Sequence, residues 1–127
     1  QIINKAREVN LQKTNWSFEK ILNSINEFKI KNNRNAKVAF LGLAFKPDID
    51  DLRESKAVDI VQRCLKIFNS EDLFIVEPNI NKFEEIKLTS FDKALTESDI
   101  VVVLVGHKEF KNQSYENKIL IDFCGIK

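Results

Sequence analysis

The run Ile100-Val-Val-Val-Leu-Val105 is six β-branched or aliphatic residues without a break, and it reads as a strand buried on both faces. A strand with one wet face would alternate apolar and polar residues instead. Working outward, Val38-Ala-Phe-Leu-Gly-Leu43 is a second continuous apolar run, Leu73-Phe-Ile-Val76 a third and Ile119-Leu-Ile121 a last. Helical patterns fall between them. Ala57, Val61, Cys64, Leu65 and Phe68 make one apolar stripe, Ser90–Thr96 fits a short helix capped by Ser90, and another short helix is expected around Phe83 and Ile86. Apolar strands alternating with helices predict a parallel sheet covered on both faces. Right-handed crossovers then give a small, Rossmann-like three-layer α/β sandwich.

Helices precede this sandwich. Ile2, Ile3, Ala6, Val9 and Asn10 fit the end of one helix. Phe18, Ile21, Leu22, Ile25 and Phe28 form the stripe of a second, which Asn15 or Ser17 would cap. Trp16 reads as a staple between the two, and Lys31–Asn35 as a polar connection. The chain divides accordingly into a helical lead-in, residues 1–35, and an α/β domain, residues 36–127.

Composition narrows the function. With 127 residues there is room for one domain with a core. The 20 basic and 19 acidic side chains nearly cancel, so neither nucleic acid nor an anionic membrane is an expected partner. No apolar stretch reaches the roughly 18–20 residues of a membrane span. Cys64 and Cys124 stand 60 residues apart without a CxxC or His cluster. They are expected to be reduced, in a cytoplasmic protein, with no metal site. A start at Gln1 and the absence of methionine read as a piece of a longer chain.

In open parallel sheets ligands bind at the carboxyl ends of the strands. Segments 44–55, 77–79 and 106–110 arrive there. The first is Ala44-Phe-Lys-Pro-Asp-Ile-Asp-Asp-Leu-Arg-Glu-Ser55. It contains neither a GxGxxG fingerprint nor a P-loop, so anion recognition would fall to side chains. Lys46 offers a mobile point charge, and Arg53 a rigid fork suited to pyrophosphate. The alternative is a solvated loop whose cations pair with Asp48, Asp50 and Asp51. Asp51 with Glu54, or else Ser55, would cap the helix that follows. His107, the single histidine, follows the Ile100–Val105 strand and so falls at the crevice rim, with a structural or a recognition role.

The stretch Gly42-Leu-Ala-Phe-Lys-Pro-Asp-Ile-Asp-Asp-Leu-Arg-Glu-Ser55 resembles the GxAFKxxxxDxRxS signature of the UDP-glucose/GDP-mannose dehydrogenase family at every fixed position. The resemblance extends to Ala6-Arg7, Val9-Asn10, Val76-Glu-Pro-Asn79, Ser98-Asp-Ile100 and Ile121-Asp122. Within that family, FKPDIDDLRES, VEPN and LVGHKEF are most similar to the members acting on UDP-N-acetylmannosamine.

The resemblance implies a UDP-sugar partner and NAD as cofactor. Phe45, Lys46 and His107 would bind substrate, and Arg53, oriented by Asp51, would reach NAD. NAD itself would be held mainly by an N-terminal domain, and the catalytic cysteine supplied by a middle domain, neither of them in this chain. It implies a homo-oligomer at full length and no catalytic residue within these 127 positions. Relatives often follow Ile-Asp with an Arg or Lys that contacts the nucleotide. Here Cys124 stands in that place, so the contact is either lost or passed to Lys127. Two rival readings are a stand-alone nucleotide-sugar-binding module and an oligomerisation module without catalysis.

Overall fold

A computed structural model describes residues 2–44, 55–80 and 86–126, with side chains from residue 15 onward. Its elements run α1 (Ile2–Asn32), β1 (Val38–Leu41), α2 (Lys56–Ile67), β2 (Leu73–Val76), α3 (Phe91–Glu97), β3 (Ile100–Val103) and β4 (Ile119–Asp122). The four strands form one all-parallel sheet in the order β2-β1-β3-β4.

Strand period 2 sorts the side chains between two layers of cover. Val38 and Phe40 of β1, Ile100 and Val102 of β3, and Ile75 of β2 pack with Ile21 and Ile25 of α1 and Ile60, Val61 and Cys64 of α2. On the opposite face Ala39, Leu41, Val101 and Val103 meet Ala94 of α3, Phe110 and Tyr115. Burying one such aliphatic or aromatic side chain stabilises by about 1.5–3 kcal/mol, so this double layer is the main source of stability. The expected three-layer α/β sandwich is the architecture observed.

The lead-in differs from the expectation of two helices. α1 is one helix of 31 residues, and Asn15 and Ser17 lie inside it rather than capping a second start. The reason is the lack of a breaker: no Gly or Pro occurs before Gly42, and a started helix propagates at little cost per residue. It stops where Asn33 turns left-handed, at φ 55°, with its N–H on the Lys29 carbonyl. Trp16 is therefore no staple between helices. It is 56% exposed, and its ring meets Phe123 edge-on at 6.2 Å, joining α1 to the segment that follows β4.

Two further expectations change. Ile86 is not helical: Leu88 makes a parallel bridge with Ile75, and the Thr89 N–H donates to the Ile75 carbonyl at 2.7 Å. This segment covers the free edge of β2, where unpaired backbone groups need partners; Phe83 lies outside the described residues. The runs at 38–43 and 100–105 also yield strands two residues shorter, ending at Leu41 and Val103. Ser90 caps α3 as expected, accepting from the Lys93 N–H.

Candidate functional site at the carboxyl edge of the sheet

The register aligns Leu41, Val76, Val103 and Asp122 across the carboxyl edge. β1 continues to β2 on one side while β3 lies on the other, so the topological switch point falls between β1 and β3. The segments leaving β1 and β3 there carry Gly42–Ala44 and Leu104–His107.

Gly42 begins the site. Its N–H continues the ladder to the Val76 carbonyl at 2.8 Å, and its φ of 97° turns the chain out of β1. A Cβ at this position would lie 2.6 Å from Val105 Cβ, so the turn has room only for glycine. The next two amides point at one carboxylate oxygen: Leu43 and Ala44 N–H donate to Glu77 Oε1 at 2.8 and 3.0 Å. Glu77 Oε2 accepts the Asn79 N–H at 2.9 Å. His107 Nε2 lies 2.8 Å from Glu77 Oε1, and Asn79 Nδ2 lies 3.3 Å from His107 Nδ1. These partners assign the ring proton to Nε2, which donates to Glu77, while Nδ1 accepts from the Asn79 amide.

Glu77 is 3% exposed and His107 fully buried. Burial alone would push the Glu77 carboxyl up, but hydrogen bonds from His107, Leu43 and Asn79 outweigh it and hold the group below its ordinary value. The carboxylate is thus an internal anion occupying the amides at the end of β1. Those are the amides a pyrophosphate would use in a glycine-rich dinucleotide turn. The described residues therefore offer no such NAD site at Gly42.

The far end of the signature segment returns to the same point. Ser55 Oγ donates to the Leu43 carbonyl at 2.5 Å and accepts the Val58 N–H, capping α2. The N-terminus of α2, with its partial positive charge, thus faces the crevice. Phe45, Lys46, Asp51 and Arg53 lie outside the described residues, on the segment between Ala44 and Ser55. His107 is not at the rim, as its sequence position suggested. It lies behind the β1 corner, because the chain leaving β3 turns inward and sets the imidazole against Phe110, ring centres 5.6 Å apart and tilted by 58°.

Across the edge, a cavity of about 270 Å³ is lined by Gly106, Lys111, Cys124, Gly125 and Ile126, among others. Asp122 Oδ1 accepts the Cys124 and Gly125 N–H groups at 2.9 Å each and shapes that wall. Cys124 is exposed there, and Lys111 brings a cation to the same cavity. Among the described residues no group of three or more His, Cys, Asp or Glu side chains could hold a metal ion, and no helix is long and apolar enough to cross a membrane.

Residues 39–126 match the family model of the UDP-glucose/GDP-mannose dehydrogenase family, UDP binding domain. The chain belongs to this family. The family was legible in the signature at Gly42–Ser55. Over 98% of its length the UDP-binding domain is 45% identical to the UDP-N-acetyl-D-mannosamine dehydrogenase of Campylobacter jejuni. It is 37% identical over 99% of its length to the enzyme of that name from Escherichia coli K12. The solved UDP-N-acetyl-mannosamine dehydrogenase of S. aureus superposes on 94% of the domain with a TM-score of 0.71 at 25% identity, the match covering 29% of that chain. The domain spans 30% and 32% of the length of the two curated relatives. The role of Glu77 was not foreseen; its one signal was a carboxylate placed immediately after a buried strand.

Proposed function

We propose that this chain is the nucleotide-sugar wall of an NAD-dependent UDP-sugar 6-dehydrogenase that converts UDP-N-acetylmannosamine to its uronate for surface polysaccharide precursors. The observation that carries the reading is the signature segment. It leaves the carboxyl edge at a glycine-only turn and is closed by Ser55 on the Leu43 carbonyl, beside the switch point where such sheets bind ligands. Phe45 and Lys46 contact the nucleotide sugar. Arg53, oriented by Asp51, reaches the pyrophosphate or nicotinamide end of NAD across a domain cleft.

NAD would supply the hydride acceptor for the sugar C6; the domains that precede this one would hold most of it and bring the reactive cysteine. Residues 1–35 lead in from those domains, and the full-length enzyme is a cytoplasmic homo-oligomer. The contribution of these 127 residues is to bind and orient substrate, so alone they turn over none.

Calorimetric titration with UDP and with UDP-N-acetylmannosamine tests the reading. Binding at millimolar concentration or tighter is expected, together with no NAD reduction by the chain alone. No binding of either ligand would favour a purely structural module.

A further inference from the structure

Among the described His, Asp, Glu, Lys and Arg side chains, Glu77 and His107 are the buried ones, at 3% and 0% exposure. A buried carboxylate is costly unless it is hydrogen-bonded throughout, and apolar side chains would fill this space without that cost. The bonds of Glu77 reach three separate connections: Leu43 and Ala44 after β1, Asn79 after β2 and His107 after β3. Each connection leaves the carboxyl end of a different strand, and all three meet beside the switch point.

Leu43 is held from both sides, its N–H by Glu77 and its carbonyl by Ser55. We infer that Glu77 and His107 are positioning residues for nucleotide-sugar binding: a buried latch that fixes the peptides at which the signature segment leaves β1. His107 sets the Glu77 carboxylate by donating from Nε2, and the Asn79 amide sets the imidazole through Nδ1. The latch also occupies the turn amides with protein anion, leaving phosphate contacts to the signature side chains. It acts through backbone placement and touches no ligand. The inference rests on the nucleotide-sugar reading above.

The test uses the 127-residue chain with UDP as the probe. In the unliganded chain the Leu43 and Ala44 amides are expected to be protected from hydrogen exchange. Rapid exchange at both overturns the latch whatever the ligand does. His107→Leu removes the donor to Glu77, whereas in His107→Gln the side-chain amide nitrogen takes approximately the place of Nε2. His107→Leu should speed exchange at Leu43 and Ala44 and weaken UDP binding roughly ten-fold or more, with His107→Gln staying within about three-fold of the parent.

A merely structural role would lower the melting temperature of both variants without separating their UDP affinities. Unchanged affinity in His107→Leu, or equal losses in the two variants, overturns the positioning role. If His107→Leu does not fold, Asn79→Ala carries the comparison, because it frees Nδ1 while leaving Glu77 and its backbone bonds in place. A parent chain that binds no UDP sinks the nucleotide-sugar reading and the positioning role with it. Exchange at Leu43 and Ala44 then decides separately whether the latch exists.

Discussion

Ser55 Oγ and the Leu43 carbonyl lie 2.5 Å apart, so two residues twelve positions apart in sequence meet at one hydrogen bond. The same hydroxyl oxygen accepts the Val58 N–H at the start of α2. A single side chain therefore closes the signature segment and caps the helix that follows it. Both partners are buried, which makes the carbonyl expensive to leave unpaired. Ser55→Ala should remove the cap and orphan the Leu43 carbonyl together, a loss of about 2–3 kcal/mol. Ser55→Thr keeps the hydroxyl and should cost less. Urea unfolding midpoints of the two variants check this; equal values for Ala and Thr would show that the hydroxyl does not close the segment.

Gly42 is the second point on which the corner depends. Alanine there would face both a φ of 97° and a Cβ 2.6 Å from Val105 Cβ. The combined strain and overpacking are expected to cost roughly 3 kcal/mol or more. Val105→Ala should not rescue it, because the clash is with Cβ, which alanine retains. Recovery of the melting temperature in that double variant would show that the γ carbons, rather than the backbone turn, set the limit.

Acid should weaken the fold through two carboxylates. Hydrogen bonds hold Glu77 below its ordinary value despite burial, and the Arg34 guanidinium, at 2.9 Å on both carboxylate oxygens, does the same for Asp99. A group whose folded value is depressed binds its proton more readily when unfolded. Its contribution is therefore complete above the ordinary carboxylate value of about 4 and is lost as pH falls through the lower folded value. Urea midpoints should be level from neutral pH to about 5 and then fall. Asp99→Asn and Glu77→Gln should each flatten the acid limb, and an unchanged slope in both would remove these groups as its cause.

The proposed division of labour on the signature segment is open to kinetics in the proposed full-length dehydrogenase. Losing one charge-assisted contact is worth about 1.5–3 kcal/mol, or roughly ten- to a hundred-fold. Lys46→Ala should lower kcat/KM for the nucleotide sugar by that factor without lowering the melting temperature. Arg53→Ala should raise the KM for NAD instead. An Arg53 effect confined to the sugar nucleotide would reverse the assignment.

The parallel sheet was legible because Ile100–Val105, Val38–Leu43 and Leu73–Val76 are apolar at every position that must face a covering layer. What composition could not mark was where each ladder stops, since Leu43 and Val105 stay buried and apolar beyond the ends of β1 and β3. The continuity of α1 depended on weighing a missing breaker against two good capping residues. Ile86 misled because an apolar residue covering a strand edge looks the same in sequence as one on a helix face. Glu77 was hardest to read. A carboxylate after a strand is usually solvated, and only the β2-β1-β3 order brings Leu43 and His107 around this one.

The two thiols provide a chemical check on that packing. Cys64 lies on the core face of α2 with no exposed surface, and burial pushes its thiol up to about 12. Cys124 is exposed on the turn that Asp122 shapes. Since the thiolate is the reactive form, an excess of an aromatic disulfide reagent at neutral pH should label Cys124 quickly and leave Cys64 unmodified until urea unfolds the chain. Intact-mass measurement should then show one adduct in the folded protein and two in the unfolded one. Cys124→Ser should abolish the fast adduct. Rapid double labelling without denaturant would mean that α2 opens from the sheet far more often than a core of this burial permits.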